Sequence, residues 1–288
     1  MTTTLISPEA LHTLLADPTA HTVVIDCTFD LADPAAGRQA HHAGHIPGAY
    51  YLHLDNELSG AKTGTNGRHP LPAPDDFIAR LRMLGVNNDT QVVAYDGNGG
   101  VFAARLWWML RWIGHAGAAV LDGGRQAWEA AGYVLEPGVP DEPALPEDRG
   151  NLELRAALVP VVDAQDIMEN LATQARLVVD ARTEDRFRGE NETLDPVGGH
   201  IPGARNHCFK RNLDRNMRFK PAEQLRAEWQ TTLGQTAPEY SIMQCGSGVT
   251  ACHNLLALEV AGLTGAALYP GSWSEWCADA SRPMATGD

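Results

Sequence analysis

At 288 residues the chain is long for a single hydrophobic core and comfortable for two domains, and 44% hydrophobic with 20% charged residues is the composition of a soluble globular protein. A formal net charge of −14, from 22 Lys and Arg against 36 Asp and Glu, argues against nucleic acid as the main partner, because phosphate binding needs a basic face. It leaves room for a small anion held by a local arginine or a helix N-terminus.

No apolar run reaches the length of about 18 residues that a membrane span needs, and the most apolar stretch, Val101 to Ile113, is interrupted by Arg105 and Arg111. The N-terminus has no basic segment ahead of an apolar run, so it does not read as a secretory leader. Cys27, Cys208, Cys245, Cys252 and Cys277 are odd in number, widely spread and without CxxC. They read as free thiols in a reducing compartment, with the cytoplasm as the expected location.

In chain order, HTVVIDC (21–27) predicts a buried strand and GHIPGAYYLHL (44–54) a turn into a short strand. Asp75–Leu84 predicts an amphipathic helix ending before Gly85, QVVAYD (91–96) a strand, Phe102–Ile113 a helix, and AAVLDGG (118–124) the end of a strand. The same grammar returns as ARLVVDAR (175–182), GHIPGARNH (199–207), Ala222–Leu233, YSIMQC (240–245), Thr250–Ala261 and AALYPG (266–271). Short apolar strands alternating with helices predict an α/β fold in which each copy is a mostly parallel sheet flanked by helices.

The recurrence is regular: Gly44 and Gly199 open the two GHIPGA turns 155 residues apart, Asp96 and Cys245 end equivalent strands 149 apart, and Gly123/Trp128 and Gly271/Trp276 are 148 apart. Near-constant offsets mean a duplicated domain. The boundaries read as residues 1–137, a Pro-rich and acidic linker over 138–160, and 161–288.

The segment that carries chemistry is Cys245-Gly246-Ser247-Gly248-Val249-Thr250, between an apolar strand and an apolar helix. In an open α/β sheet, ligands bind beyond the carboxyl ends of the strands, and Cys245 would sit there. Gly246 and Gly248 permit the backbone angles that curl successive N–H groups, up to that of Val249, around one point, and the helix start adds its positive end. Such surroundings stabilise a thiolate, which is the nucleophilic form of cysteine. The Ser247 and Thr250 hydroxyls can donate to sulfur or to a substrate oxygen. An isolated cysteine at a strand end is more often structural, and the other four cysteines are read that way.

These motifs together, the tandem GHIPGA turns, the CGSGVTA loop and the YPGSWSEW ending, resemble the two-domain rhodanese and 3-mercaptopyruvate sulfurtransferases over nearly the whole chain. The resemblance implies two rhodanese domains, of which only the second is catalytic. Asp96 stands where the first copy would need its cysteine, and an aspartate cannot carry sulfane sulfur. It further implies a ping-pong reaction through a Cys245 persulfide, with a small-molecule sulfur donor and a thiol acceptor such as a thioredoxin-like protein, or cyanide. No cofactor and no metal are implied.

The loop lacks the basic residues that thiosulfate-preferring members place after the cysteine, which points to 3-mercaptopyruvate as the donor. Thiosulfate remains the rival donor by the same mechanism. For the substrate carboxylate, Arg188 of the RFRG segment is the first candidate and Arg186 the second. The further arginine that the family carries between RFRG and GHIPG is missing from ENETLDPVGG, so Arg186 or a residue of the first domain would have to replace it. HLDNELS and GRHPLP resemble a segment that gives an Asp and a His to a proton relay with the loop serine, here Asp55 and His69 at a longer spacing than in the family.

Three other readings are weaker. A cysteine phosphatase needs an arginine where Ala251 stands, a binding module that had lost catalysis would not need Cys245, and a thiol sensor is compatible with turnover. A dinucleotide loop at Asp96–Gly100 fails the GxGxxG pattern at Phe102. His41 and His45 have an i,i+4 relation, but Gly44 and Pro47 disfavour a helix there, and His45 recurs as His200 of the second GHIPGA turn. Trp273 and Trp276 read as core, with Trp273 also able to face a substrate.

Overall fold

The computed structural model describes residues 1–138 and 149–288. By its internal contacts the chain divides into two compact units: unit 1 is made of residues 1–60, 72–158 and 215–219, and unit 2 of residues 61–71, 159–214 and 220–288. Of the stretch read as a linker, 139–148 lie outside the described residues. Residues 150–158 are pinned to unit 1, where Gly150 N donates to Arg82 O, Leu152 N to Val86 O and Arg155 N to Ile113 O.

Unit 1 runs β1 (Leu5–Ile6), α1 (Pro8–Ala16), β2 (Thr22–Asp26), α2 (Ala36–Ala43), β3 (Tyr50–Tyr51), α3 (Pro74–Met83), β4 (Gln91–Tyr95), α4 (Ala103–Trp112), β5 (Ala118–Leu121) and α5 (Gly124–Ala130). Its sheet has the order β1-β5-β4-β2-β3, with every pairing parallel. Every residue of β4 is buried, as expected for a central strand covered by helices on both faces.

Unit 2 runs α6 (Ala164–Thr173), β6 (Leu177–Asp180), α7 (Glu184–Phe187), β7 (Arg205–Asn206), a 3-10 turn at Phe209–Asn212, α8 (Ala222–Leu233), a second at Pro238–Tyr240, β8 (Ser241–Gln244), α9 (Thr250–Val260), β9 (Ala267–Leu268) and α10 (Ser272–Trp276). Its sheet has the parallel order β7-β6-β8-β9. The predicted helices match α3, α4, α8 and α9 to within a residue at each end. A short helix, α2, carries His41 but stops before His45, so the two histidines do not share a helix. The glycine ends the helix at its C-cap, ahead of the proline.

The duplication is visible in the packing. Ile46 and Ile201, the isoleucines of the two GHIPGA turns, are fully buried in the cores of their own units, beside Trp128 and Trp276 respectively. Each turn histidine forms an antiparallel bridge to a later segment of its own unit, His45 to Glu136 and His200 to Ala285. The turn is therefore a structural device that ties one edge of the core to the following chain. Trp273 is also core: it is fully buried, and its indole N–H donates to Val197 O at 2.8 Å.

Behind α9, unit 2 buries a polar cluster. Asn212 Nδ2 donates to Asn254 Oδ1 at 2.8 Å, Trp229 Nε1 donates to Asn212 Oδ1 at 3.1 Å, and Asn254 Nδ2 donates to His207 O at 2.9 Å. His207 stacks on Trp229 at 4.0 Å between ring centres and shares a 2.7 Å hydrogen bond with Thr232 Oγ1. Burial, helped by the nearby Arg211, lowers the His207 pKa to about 4, so the folded state holds it neutral. In the unfolded chain the ring takes a proton near its ordinary value. Stability should therefore be full above about pH 6.5 and fall as pH drops toward 4. Urea midpoints across that window are expected to decline in the wild type and to decline less in His207→Gln; equal slopes would remove His207 from the acid response.

Candidate active site

Cys245 follows β8, whose neighbours are β6 and β9, and so stands at the carboxyl edge of the sheet with 2% of its surface exposed. No side chain caps α9. Ahead of that helix, the loop turns two backbone N–H groups onto sulfur: Gly248 N lies 3.1 Å and Ser247 N 3.5 Å from Cys245 Sγ. Gly248 has φ +77°, and a Cβ there would run into the Pro270 carbonyl, so only glycine closes the loop this tightly. Val249 is the N-cap position of α9 and Thr250 its first residue.

The loop is held from outside by the turn into α10. Cys245 N donates to Ser272 Oγ at 3.1 Å, Trp273 N to Cys245 O at 3.0 Å, and Ser274 N to Gly246 O at 2.9 Å. Ser247 Oγ shares a 2.7 Å hydrogen bond with His69 Nδ1, and both side chains are buried. His69 comes from residues 61–71, which pack with unit 2 although they precede most of unit 1 in sequence. Arg68 N donates to Ser274 Oγ at 2.9 Å, which fixes that segment beside the loop.

Two guanidinium groups lie over Gly246. A Cβ placed on that glycine would be 3.0 Å from Arg68 Nη2 and 3.6 and 3.7 Å from Arg186 Nη2 and Nη1. Arg186 makes a two-pronged bond to Glu192 (3.0 and 2.9 Å) and a third to Asp195 at 3.3 Å, while Arg68 pairs with the other oxygen of Asp195 at 2.5 Å. Burial raises the Asp195 pKa and Arg68 opposes the rise. Burial also presses Glu192 upward, but the Leu194 N–H and Arg186 outweigh it and leave Glu192 below its ordinary value. Deeper still, the buried Arg182 is held by Asp180 and lies 4.8 Å over the Trp273 ring. Burial opposes its charge, yet Asp180, Glu192 and the Cys245 sulfur raise its pKa above the ordinary arginine value.

Arg188, the first choice for a substrate carboxylate from sequence, is placed elsewhere. It forms an exposed ion pair with Glu190 at 2.8 Å and lines a surface cavity with Glu184, Phe187, Arg205 and Arg211. Residues two apart on a helical turn do not share a face, so with Arg186 over the loop, Arg188 at the end of α7 points away from it. Asp55 belongs to unit 1, where it is half-buried and its N–H donates to His53 Nδ1 at 3.1 Å. Sequence reading missed Arg68, Asp195, Glu192, Ser272 and Ser274. The one available signal was that Arg68 adjoins His69.

Unit 1 carries the same loop in another state. The Asp96 carboxylate is fully buried and accepts N–H donors from Asn98 (2.7 Å), Gly100 (2.9 Å), Phe102 (2.8 Å) and Ala103 (2.9 Å). Burial raises its pKa and these four donors work against the rise. The nest is thus filled by a side chain of the chain itself. The remaining cysteines lie outside such a cradle: burial raises the thiols of Cys27, Cys208 and Cys277, and Cys252 Sγ donates to Gly248 O at 3.2 Å. Among the described residues, no cluster of three or more His, Cys, Asp or Glu is disposed to hold a metal, and no helix is long and apolar enough to cross a membrane.

The rhodanese-like domain family matches residues 7–131 and 163–279, one copy in each half of the chain. The chain belongs to the rhodanese-like family. A probable 3-mercaptopyruvate sulfurtransferase from Pseudomonas aeruginosa is 43% identical over 286 residues, covering 99% of this chain and 98% of that protein. A putative thiosulfate sulfurtransferase, SseB of Mycobacterium tuberculosis, is 35% identical over 281 residues, 92% of this chain and 90% of its own length. Among solved structures, 3-mercaptopyruvate sulfurtransferase from Leishmania major superposes with a TM-score of 0.82 at 30% identity, covering 95% of this chain and 74% of that one.

Gly248→Ala tests the loop geometry of this rhodanese-like chain. A Cβ at φ +77° against the Pro270 carbonyl is expected to destabilise the protein by about 1–3 kcal/mol in denaturant unfolding. Wild-type stability in this variant would show that the loop has room to spare.

Proposed function

We propose that this protein is a sulfurtransferase that takes a sulfur atom from 3-mercaptopyruvate as a Cys245 persulfide and passes it to a thiol or to cyanide. The observation that carries this reading is the convergence of the Ser247 and Gly248 N–H groups on Cys245 Sγ. Donors fixed in place before reaction stabilise an anionic sulfur without reorganising, which serves both the attacking sulfur and the outer sulfur of a persulfide.

In the first half-reaction the Cys245 thiolate attacks the donor sulfur. The donor C–S bond breaks, its electron pair leaves with the carbon as pyruvate enolate, and a proton converts the enolate to pyruvate. In this reading Ser247 delivers that proton and His69 replenishes it, supported by the hydrogen bond between them. In the second half-reaction an acceptor thiolate or cyanide attacks the outer sulfur, and the Cys245 thiolate leaves.

The donor carboxylate needs a cation, and Arg186 with Arg68 fills that role in this reading because both guanidiniums face Gly246. A specific observation also favours a second reading, thiosulfate as donor. The loop sequence holds no cation, but Arg68 and Arg186 bring two to it from other segments. Their charges are already balanced by Asp195 and Glu192, which favours a monoanionic carboxylate over a dianion.

Steady-state kinetics with each donor and cyanide as acceptor separates these readings. Arg186→Ala is expected to raise KM for 3-mercaptopyruvate at least about tenfold, and Arg188→Ala to leave it within about twofold. The reverse pattern would return the carboxylate to Arg188. A kcat/KM that favours thiosulfate would leave the persulfide chemistry in place and assign the protein the other donor.

A further inference from the structure

Ser272 is one of four non-glycine residues with positive φ among the described residues, at +54°, and it is fully buried. A β-carbon in that left-handed conformation is strained, and such strain persists only where its surroundings enforce it. The duplication supplies an internal control. Ser272 lies 148 residues after Gly124, which has φ +56° in unit 1, and Gly124 has no room for a side chain because a Cβ would meet the Asp96 carbonyl. The left-handed backbone at this one position is thus shared by both copies, although the residues before it differ (Gly123 φ +78°, Gly271 φ −64°), and glycine satisfies it without strain. Only the copy with the cysteine places a serine there.

The serine hydroxyl is fully engaged. It accepts the Cys245 N–H at 3.1 Å and donates to Tyr269 O at 2.9 Å. On the other side of the same peptide, Gln244 O accepts Ala181 N at 2.9 Å. The peptide plane that sets the direction of the Cys245 side chain is therefore pinned at both ends, on one side by the sheet and on the other by Ser272 alone. The carbonyl bonds from Trp273 N to Cys245 O and from Arg125 N to Asp96 O are equivalent in the two units, at 3.0 and 3.1 Å. The hydroxyl is the part that glycine at position 124 cannot supply.

We propose that Ser272 is a positioning residue for the nucleophile. Its hydroxyl fixes the Gln244–Cys245 peptide so that Sγ sits under the Ser247 and Gly248 N–H groups, and the strained backbone at Ser272 is retained for that bond. This inference rests on the persulfide reading of Cys245. Without the hydroxyl, the buried Cys245 N–H loses its acceptor, the peptide turns to find another, and Sγ leaves the focus of the donors. The thiolate would then be less stabilised, and attack on the donor slower.

The test uses Ser272→Gly and Ser272→Ala in the full chain, with Cys245→Ser as the reference. Three quantities are read: Tm, kcat/KM for 3-mercaptopyruvate, and the pH midpoint of inactivation by iodoacetamide. Ser272→Gly relieves the backbone and is expected to hold or raise Tm while lowering kcat/KM at least about tenfold and moving the midpoint upward. Ser272→Ala keeps the strain without the bond and should show the same kinetic loss with a lower Tm. A Ser272→Gly enzyme with wild-type kcat/KM and midpoint overturns the proposal, and so does one whose activity falls only in step with its Tm. Turnover by Cys245→Ser would instead overturn the persulfide reading. An inactive Cys245→Ser beside a fully active Ser272→Gly would remove Ser272 alone.

Discussion

A negative charge inside a protein needs donors that are in place before the charge arrives, and in this molecule the donors are backbone N–H groups at the end of a parallel strand. The arrangement depends on two features around the loop after β8: a glycine at Gly248 that accepts φ +77°, and a strand end buried between two neighbours. Remove either and the N–H groups point elsewhere. The turn into α10 holds that loop at one edge of its sheet, through Ser272, Trp273 and Ser274.

The two units show the same nest with two occupants. In unit 1 the occupant is the Asp96 carboxyl group, which takes four N–H donors and leaves the loop without a free nucleophile. In unit 2 the occupant is Cys245 Sγ, with two donors. The loop accordingly turns backbone N–H groups onto one side chain in both copies, and what differs is whether that side chain can carry a transferable atom. Around the second nest, Arg68, Arg182 and Arg186 are set against Asp180, Glu192 and Asp195, so the positive groups are oriented by acidic partners with no excess of charge. A protein with a net charge of −14 can hold an anion site in this way, because the field at the site is made locally.

Much of this was legible in the amino-acid sequence because it is written in short-range pattern. The duplication, the parallel α/β architecture, the helix over Ala222–Leu233 and the special standing of Cys245 all follow from residues close together in the chain. What escaped depends on long-range contact or on the phase of a short helix. His69 was named with the loop serine only through the family resemblance, because the two are 178 residues apart, and its neighbour Arg68, brought to the loop by the packing of residues 61–71 with unit 2, went unnoticed. Arg186 and Arg188 look equivalent in RFRG, and only the turn of α7 decides which one meets Gly246. The chemistry of Gly246-Ser247 was read as cation-free, which holds along the chain but not in space, where Arg68 and Arg186 arrive from other segments. Ser272 carried no signal of its own until its left-handed backbone could be compared with that of Gly124.

The claim on which the rest stands is that Cys245 itself carries the sulfur. The most direct measurement is peptide mass spectrometry of the protein after a single exposure to 3-mercaptopyruvate without acceptor, with the pyruvate released in the same sample quantified. The expected result is one added sulfur atom per chain, located on the peptide that contains Cys245, with one pyruvate formed for each sulfur bound, and its disappearance when cyanide is added. Pyruvate formed with no sulfur on Cys245, or sulfur found on Cys27, Cys208, Cys252 or Cys277 instead, would contradict it.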